Sequence, residues 1–251
     1  MQSTASFLEQ FRSFCFQNSP TDMQNAIAYF AVFGGTSWKV DTQKPLWEMI
    51  ETKILKNYSY IHNDIAALTH SSKISHALLT AIATGDRRIF STFKRAKLAR
   101  EEGEEALSKL LKSGLIELEY SLERPLHEDD DISDKLMFIQ PFMRFWFACV
   151  SPYYKSIKEG RFDEAKEAFL KREQEFFDPI VIKLFQEMLK KNFLEDSIVD
   201  IGSYWDRHAQ IDILGITQSN KRLAGICKYS DAKVKKSELG KLTQACSRVD
   251  L

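Results

Sequence analysis

Apolar residues recur at helical spacing from the start of the chain: Phe7, Phe11 and Phe14 share one face of a helix over 3–16 that needs a partner surface. A second helix over 21–33 ends at Phe33-Gly34-Gly35, and a third follows Pro45 from Leu46 to Leu55. Helices at 60–69 and 73–84 complete an all-helical opening. The pattern then changes. Helices near 88–99 and 102–113 stop at Ser113-Gly114, a strand-like run Leu115–Tyr120 follows, and an acidic loop (Glu123, Glu128, Asp129, Asp130, Asp131, Asp134) leads to a second apolar strand over 136–139. Helix, helix, strand, loop, strand is the order of a winged helix-turn-helix.

Pro141 introduces an aromatic helix, Phe142 to Val150, apolar nearly all round and read as interdomain core. A polar helix follows at 160–174. From 176 the order becomes helix (176–191), strand (197–204), strand (210–217), strand (222–229) and helix (233–247). The expected division is a helical lid-like segment 1–60, a winged helix with its aromatic helix 61–150, a helical connector 151–175 and an α-β-β-β-α domain 176–251.

Composition narrows the function. Lys plus Arg and Asp plus Glu each number 35, so any attraction for nucleic acid must be local. Two basic stretches exist, one holding Lys221, Arg222, Lys228, Lys233, Lys235, Lys236, Lys241 and Arg248, the other Arg87, Arg88, Lys94, Arg95, Lys97 and Arg100. Either can engage phosphates or simply form a solvated face. The second helix of the winged helix-turn-helix opens Glu101-Glu-Gly-Glu-Glu105, and its four carboxylates suit the positive end of a helix dipole, not a duplex. The four cysteines lie far apart without metal-site spacing, and no run is long and apolar enough for a membrane span, so a reduced cytoplasmic protein is expected. No Gly-x-x-x-x-Gly-Lys-Ser/Thr occurs, which excludes P-loop ATPase activity.

Three patches carry a resemblance. Tyr29-Phe-Ala-Val-Phe-Gly-Gly-Thr36, then Phe138 to Phe147, then Ile201-Gly-Ser-Tyr-Trp205 with Gln210-Ile-Asp-Ile-Leu214 and Gly225-Ile-Cys-Lys-Tyr-Ser230, together resemble the C-terminal half of the archaeal-type DEXX-box P-loop ATPases. The resemblance implies an α+β fold: a helical lid and winged helix, followed by a PD-(D/E)xK nuclease-like domain, here lacking its last strand. It implies Mg²⁺ held by Asp212 and by an acid at 226, with Lys228 orienting the attacking water.

The departures are as informative. Ile226 occupies the acid's position, and Ile182 falls where the family carries a helix glutamate. Glu187 or Glu238 is then the candidate relocated acid, and Lys221, Arg222, Lys233, Lys235, Lys236 and Lys241 are the candidate nucleic-acid contacts. The leading expectation is a degenerate, non-catalytic nuclease-like protein acting in nucleic-acid binding or protein assembly. The alternatives are an active Mg²⁺-dependent DNase using Asp212 and Lys228, or a pure interaction module in which Phe7, Phe11 and Phe14 dock on a protein partner or a second copy.

Overall fold

The computed structural model describes residues 5–123, 133–227, 229 and 235–249. Lys228, Lys233 and most of the acidic loop therefore lie outside the described residues. The chain divides into two compact units. One holds Glu9–Glu119 and Lys135–Phe176; the other gathers Met1–Leu8, Tyr120–Asp134 and Phe177–Leu251.

The larger unit contains most of α1 (Phe7–Asn18), then α2 (Met23–Phe33), α3 (Leu46–Ile50, continued by a wider turn Glu51–Leu55), α4 (Tyr58–Leu68) and α5 (Lys73–Thr84). Side chains mark the starts of two of these: Asp22 accepts the Asn25 amide at 2.8 Å, and Ser72 Oγ accepts that of Ser75 at 3.2 Å. Helices α6 (Ile89–Ala96) and α7 (Arg100–Lys112) precede an antiparallel pair, β1 (Ile116–Glu119) and β2 (Lys135–Phe138), with Ile116 opposite Phe138. α6 can approach α7 closely because Gly103 has no side chain; a Cβ there would lie 2.7 Å from the Phe93 ring.

Phe11 and Phe14 find their partner within the chain, against the Phe30 ring at 5.2 and 5.5 Å, and both are buried. These two rings are thus not an exposed docking face for another protein. The aromatic helix is α8 (Pro141–Phe145) with a wider turn Trp146–Val150. Its rings belong to the core of this one unit, not to a seam between domains: Trp146 stacks on Tyr58 at 5.5 Å, Phe142 meets Trp38 at 5.1 Å, and Phe145 meets Phe169 at 5.7 Å. Each such buried ring contributes on the order of 2–3 kcal/mol.

After the short α9 (Tyr154–Lys158), helix α10 runs unbroken from Asp163 to Asn192. The two helices expected at 160–174 and 176–191 are therefore one, with Pro179 inside it. Proline removes one backbone donor and costs about 3 kcal/mol in a helix interior. Phe176, Phe177, Ile180, Val181 and Leu184 are all buried on both sides of it, and that apolar stripe outweighs the loss.

In the smaller unit, β3 (Ile198–Trp205), β4 (Gln210–Thr217) and β5 (Arg222–Gly225) form an antiparallel sheet in that order. α11 (Lys236–Cys246) supplies Ala245 and Leu242 to a core with Tyr204, Ile211 and Leu214. The segment between β1 and β2 closes the other side: Leu122 joins this core, its amide donates to the Ser203 carbonyl at 2.9 Å, and Ser121 Oγ accepts the Trp205 amide at 3.1 Å. Among the described residues no helix is long and apolar enough to cross a membrane.

Candidate functional site

Asp212 is the third residue of β4, between the buried Ile211 and Ile213. Its backbone carbonyl is fixed from below by Gln186 Nε2 on α10 and by Ser203 Oγ on β3, each at 2.8 Å. Its half-buried carboxylate accepts a bond on each oxygen: Gln210 Nε2 on Oδ1 at 2.8 Å and the Cys227 amide on Oδ2 at 3.0 Å.

That second bond explains why the expected strand 222–229 stops at Gly225. The ladder pairs Ile213 with Gly225, so its continuation would set Cys227 opposite Ile211. The carboxylate of Asp212 takes the amide instead, and side chain replaces backbone as acceptor. Ile226 is half-buried just past the end of β5.

A second carboxylate acts on the same segment. Asp178, on α10, accepts the Tyr229 amide at 3.1 Å, while the Phe177 and Tyr229 rings meet edge-on at 5.0 Å. Asp178 and Asp212 thus hold the amides on either side of residue 228. Both charges act on the Cys227 thiol: burial first, then Asp212 and Asp178, push it up to about 11. Asp178 is the residue that pattern reading missed. It lies inside the helix expected over 176–191, one turn before Ile182 and on the same face. The available signal was a lone carboxylate inside the apolar run Phe176 to Leu184.

The two acids proposed as relocated ligands have other partners. Glu187 accepts the amides of Phe7 and Leu8 at 3.1 and 2.8 Å, which are orphan donors at the start of α1. Glu238 accepts the Lys235 amide at 2.9 Å and so closes the first turn of α11. Both are thus engaged at helix starts. Among the described residues no group of three or more His, Cys, Asp or Glu side chains is placed to hold a metal.

Of the candidate nucleic-acid contacts, Lys221, Lys235, Lys236 and Lys241 are exposed. Arg222 is tied into the unit, its guanidinium 3.5 Å from the Glu123 carboxylate and 3.0 Å from the Val249 carbonyl. The β3–β4 turn rests on Asp206, which is buried. Tyr204 Oη, the amides of His208 and Ala209, and Arg248 Nε all donate to it, at 2.5 to 2.6 Å. Burial alone would raise its pKa; these bonds outweigh burial and hold it at about 2. His208 itself is exposed.

Residues 146–239 match DUF234, described as archaeal and bacterial proteins of unknown function. Over 204 residues the chain is 25% identical to an uncharacterised protein of Methanocaldococcus jannaschii, covering 75% of this chain and 44% of that one. The chain thus spans less than half the length of this curated relative. No solved structure matches it.

Proposed function

We propose that the smaller unit is a degenerate PD-(D/E)xK nuclease-like module that binds nucleic acid through its phosphates and does not cleave it. The helix, three antiparallel strands and following helix support that reading of the fold. So does the helix–helix–strand–strand order of α6, α7, β1 and β2 for a winged helix. The likeness of the patches at 29–36, 138–147 and 201–230 to the C-terminal half of the DEXX-box ATPases supports descent from such a protein.

The observation that carries the loss of catalysis is the use of both site carboxylates, Asp178 and Asp212, as acceptors for the backbone amides of Tyr229 and Cys227. A metal at Asp212 would compete with a donor on each oxygen, with an isoleucine at 226 where a second acid is needed. Lys221, Lys235, Lys236 and Lys241 remain exposed and available for phosphates. The four unbridged cysteines suit a reducing cytoplasm.

Fluorescence anisotropy with a labelled duplex between about 50 and 200 mM salt tests this. Replacing the four lysines by glutamine should weaken binding and lower the salt slope by about 3–4, at roughly 0.9 per lost phosphate contact. Absence of binding at the lowest salt would move the function to protein assembly. One observation favours a second reading, an active Mg²⁺-dependent DNase: Asp178 and Asp212 converge on one segment, and Asp178 rather than Glu187 or Glu238 would then be the relocated acid.

A further inference from the structure

A cleft of about 750 Å³ opens in the larger unit between the end of α1, residues 39–44, and α3 with the wider turn that continues it. Sites for small molecules span roughly 300–1,000 Å³, so the volume suits one. The floor is made by Asn18, Val40, Thr42 and Met49, all buried. Polar side chains hold it in place. Asn18 Oδ1 accepts the Val40 amide at 2.8 Å, and the Asn18 carbonyl accepts Thr42 Oγ1 at 3.1 Å. From α2, Asn25 Nδ2 donates to the Thr42 carbonyl at 3.1 Å and Tyr29 Oη to the Lys44 carbonyl at 2.5 Å. These bonds keep a surface segment from collapsing into the cleft, so a ligand meets a wall already formed.

The rim carries the chemistry. Lys39, Lys44 and Lys53 line it together with one carboxylate, Asp41. Lys44 is answered by Glu48 at 2.7 Å, and the neighbouring Glu51 by Lys56 at 2.9 Å. Lys39 and Lys53 are exposed and have no carboxylate partner among the described residues. With Asp41 and Glu48 set against the three lysines, one positive charge remains. The other rim residues, Gln17, Ser19, Gln43 and Thr52, bring amides and hydroxyls. Gln17 Nε2 is anchored on the Ser37 carbonyl at 3.0 Å. Ser19 stands at φ 48°, where glycine fits without steric cost, and yet a hydroxyl-bearing residue occupies this point of the rim.

We propose that this cleft binds a phosphorylated sugar, with Lys39 and Lys53 taking the phosphate and Asp41, Gln43, Ser19 and Thr52 taking the hydroxyls. A bare phosphate would fill a small part of the volume, and an apolar molecule would leave the polar rim unanswered. A sugar phosphate offers one anionic group for the two open lysines and several hydroxyls, each both donor and acceptor. Asp41 sharpens the choice: its carboxylate accepts from a hydroxyl and repels a second anionic group, which favours a monophosphate over a polyphosphate. The same chemistry exists in a free sugar phosphate and at the phosphorylated 5′ end of a nucleic-acid strand. The site lies wholly within the larger unit and does not depend on the nuclease-like reading.

The test titrates the full chain with ribose 5-phosphate and glucose 6-phosphate by isothermal calorimetry at constant ionic strength, with ribose, glucose and inorganic phosphate as references. Saturable binding is expected for at least one sugar phosphate, about tenfold tighter than for any reference. Lys39→Gln and Lys53→Gln should each weaken it roughly threefold to tenfold, as for loss of a partly solvated ion pair. Asp41→Asn should weaken the sugar phosphate and strengthen pyrophosphate, a reversal that a purely structural role would not produce. These three side chains are exposed, so the variants keep the fold. Lys94→Gln, which removes an exposed charge from α6, should leave binding unchanged. Displacement by a 5′-phosphorylated oligonucleotide but not by its 5′-hydroxyl counterpart assigns the site to a strand end; displacement by neither assigns it to a free sugar phosphate. The proposal is overturned if neither sugar phosphate binds more tightly than inorganic phosphate, if both oligonucleotides displace it equally, or if both lysine substitutions leave binding unchanged.

Discussion

Replacing Asp206 by asparagine removes the acceptor on which the β3–β4 turn depends. In the folded chain this buried carboxylate takes bonds from Tyr204, Arg248 and the amides of His208 and Ala209, and is held at about 2 rather than its ordinary 3.8. At about 1.4 kcal/mol for each tenfold change, that difference corresponds to roughly 2 kcal/mol of stability. Because the folded value is the lower one, the contribution is complete above the unfolded value and is lost as pH falls from about 4.5 to 2. Asparagine also strands Arg248, so Asp206→Asn should cost about 2–4 kcal/mol at neutral pH. Urea unfolding followed through Trp205, the last residue of β3 and the neighbour of Asp206, reads the unit concerned. The two proteins should differ by that amount at pH 7 and converge near pH 2. A difference below about 0.5 kcal/mol at neutral pH, or one that stays constant with pH, would refute the assigned role.

Other substitutions probe separate parts of the structure. Asp212→Asn removes a negative charge beside Cys227, whose thiol stands at about 11. Its pKa should fall, and alkylation of this cysteine at pH 8, followed by peptide mass spectrometry, should accelerate several-fold; an unchanged rate would show that the carboxylate does not face the thiol. Glu187→Ala leaves the Phe7 and Leu8 amides unanswered, and should cost about 1–2 kcal/mol and speed proteolysis near the start of α1. Gly103→Ala should destabilise by about 1–3 kcal/mol because the new methyl meets the Phe93 ring. Gly240→Ala, in α11 with nothing within 4 Å, should instead stabilise by about 0.5–1 kcal/mol; equal effects in thermal melts would contradict the packing described for α6 and α7.

Periodicity revealed the elements whose stabilising contacts are close in sequence. α2, α5, α7, β3 and β4 lie within a few residues of where spacing and stop signals put them, since caps and alternation are local properties. It failed where distant partners decide the outcome. The break expected between 174 and 176 is absent, because an apolar stripe on both sides of Pro179 keeps α10 helical, and Asp178 went unnoticed within that stripe. β5 stops early because a side chain on β4 intercepts the Cys227 amide, an event with no signature in β5 itself. Nor does any pattern announce that the residues around Ser121 and Leu122 associate with the sheet some eighty residues later. Of the candidate site, Asp212 was legible from its isolation in an apolar strand. The engagement of Glu187 and Glu238 as caps was not, because capping depends on which helix start lies opposite.

We propose that this scaffold keeps exposed lysines for phosphates while its carboxylates serve the backbone. It is tested most directly by incubating supercoiled plasmid with the chain and Mg²⁺ or Mn²⁺ at low salt. A salt-sensitive mobility shift is expected, with the plasmid left supercoiled whether or not metal is present. Metal-dependent nicking that disappears in both Asp212→Asn and Asp178→Asn would contradict it.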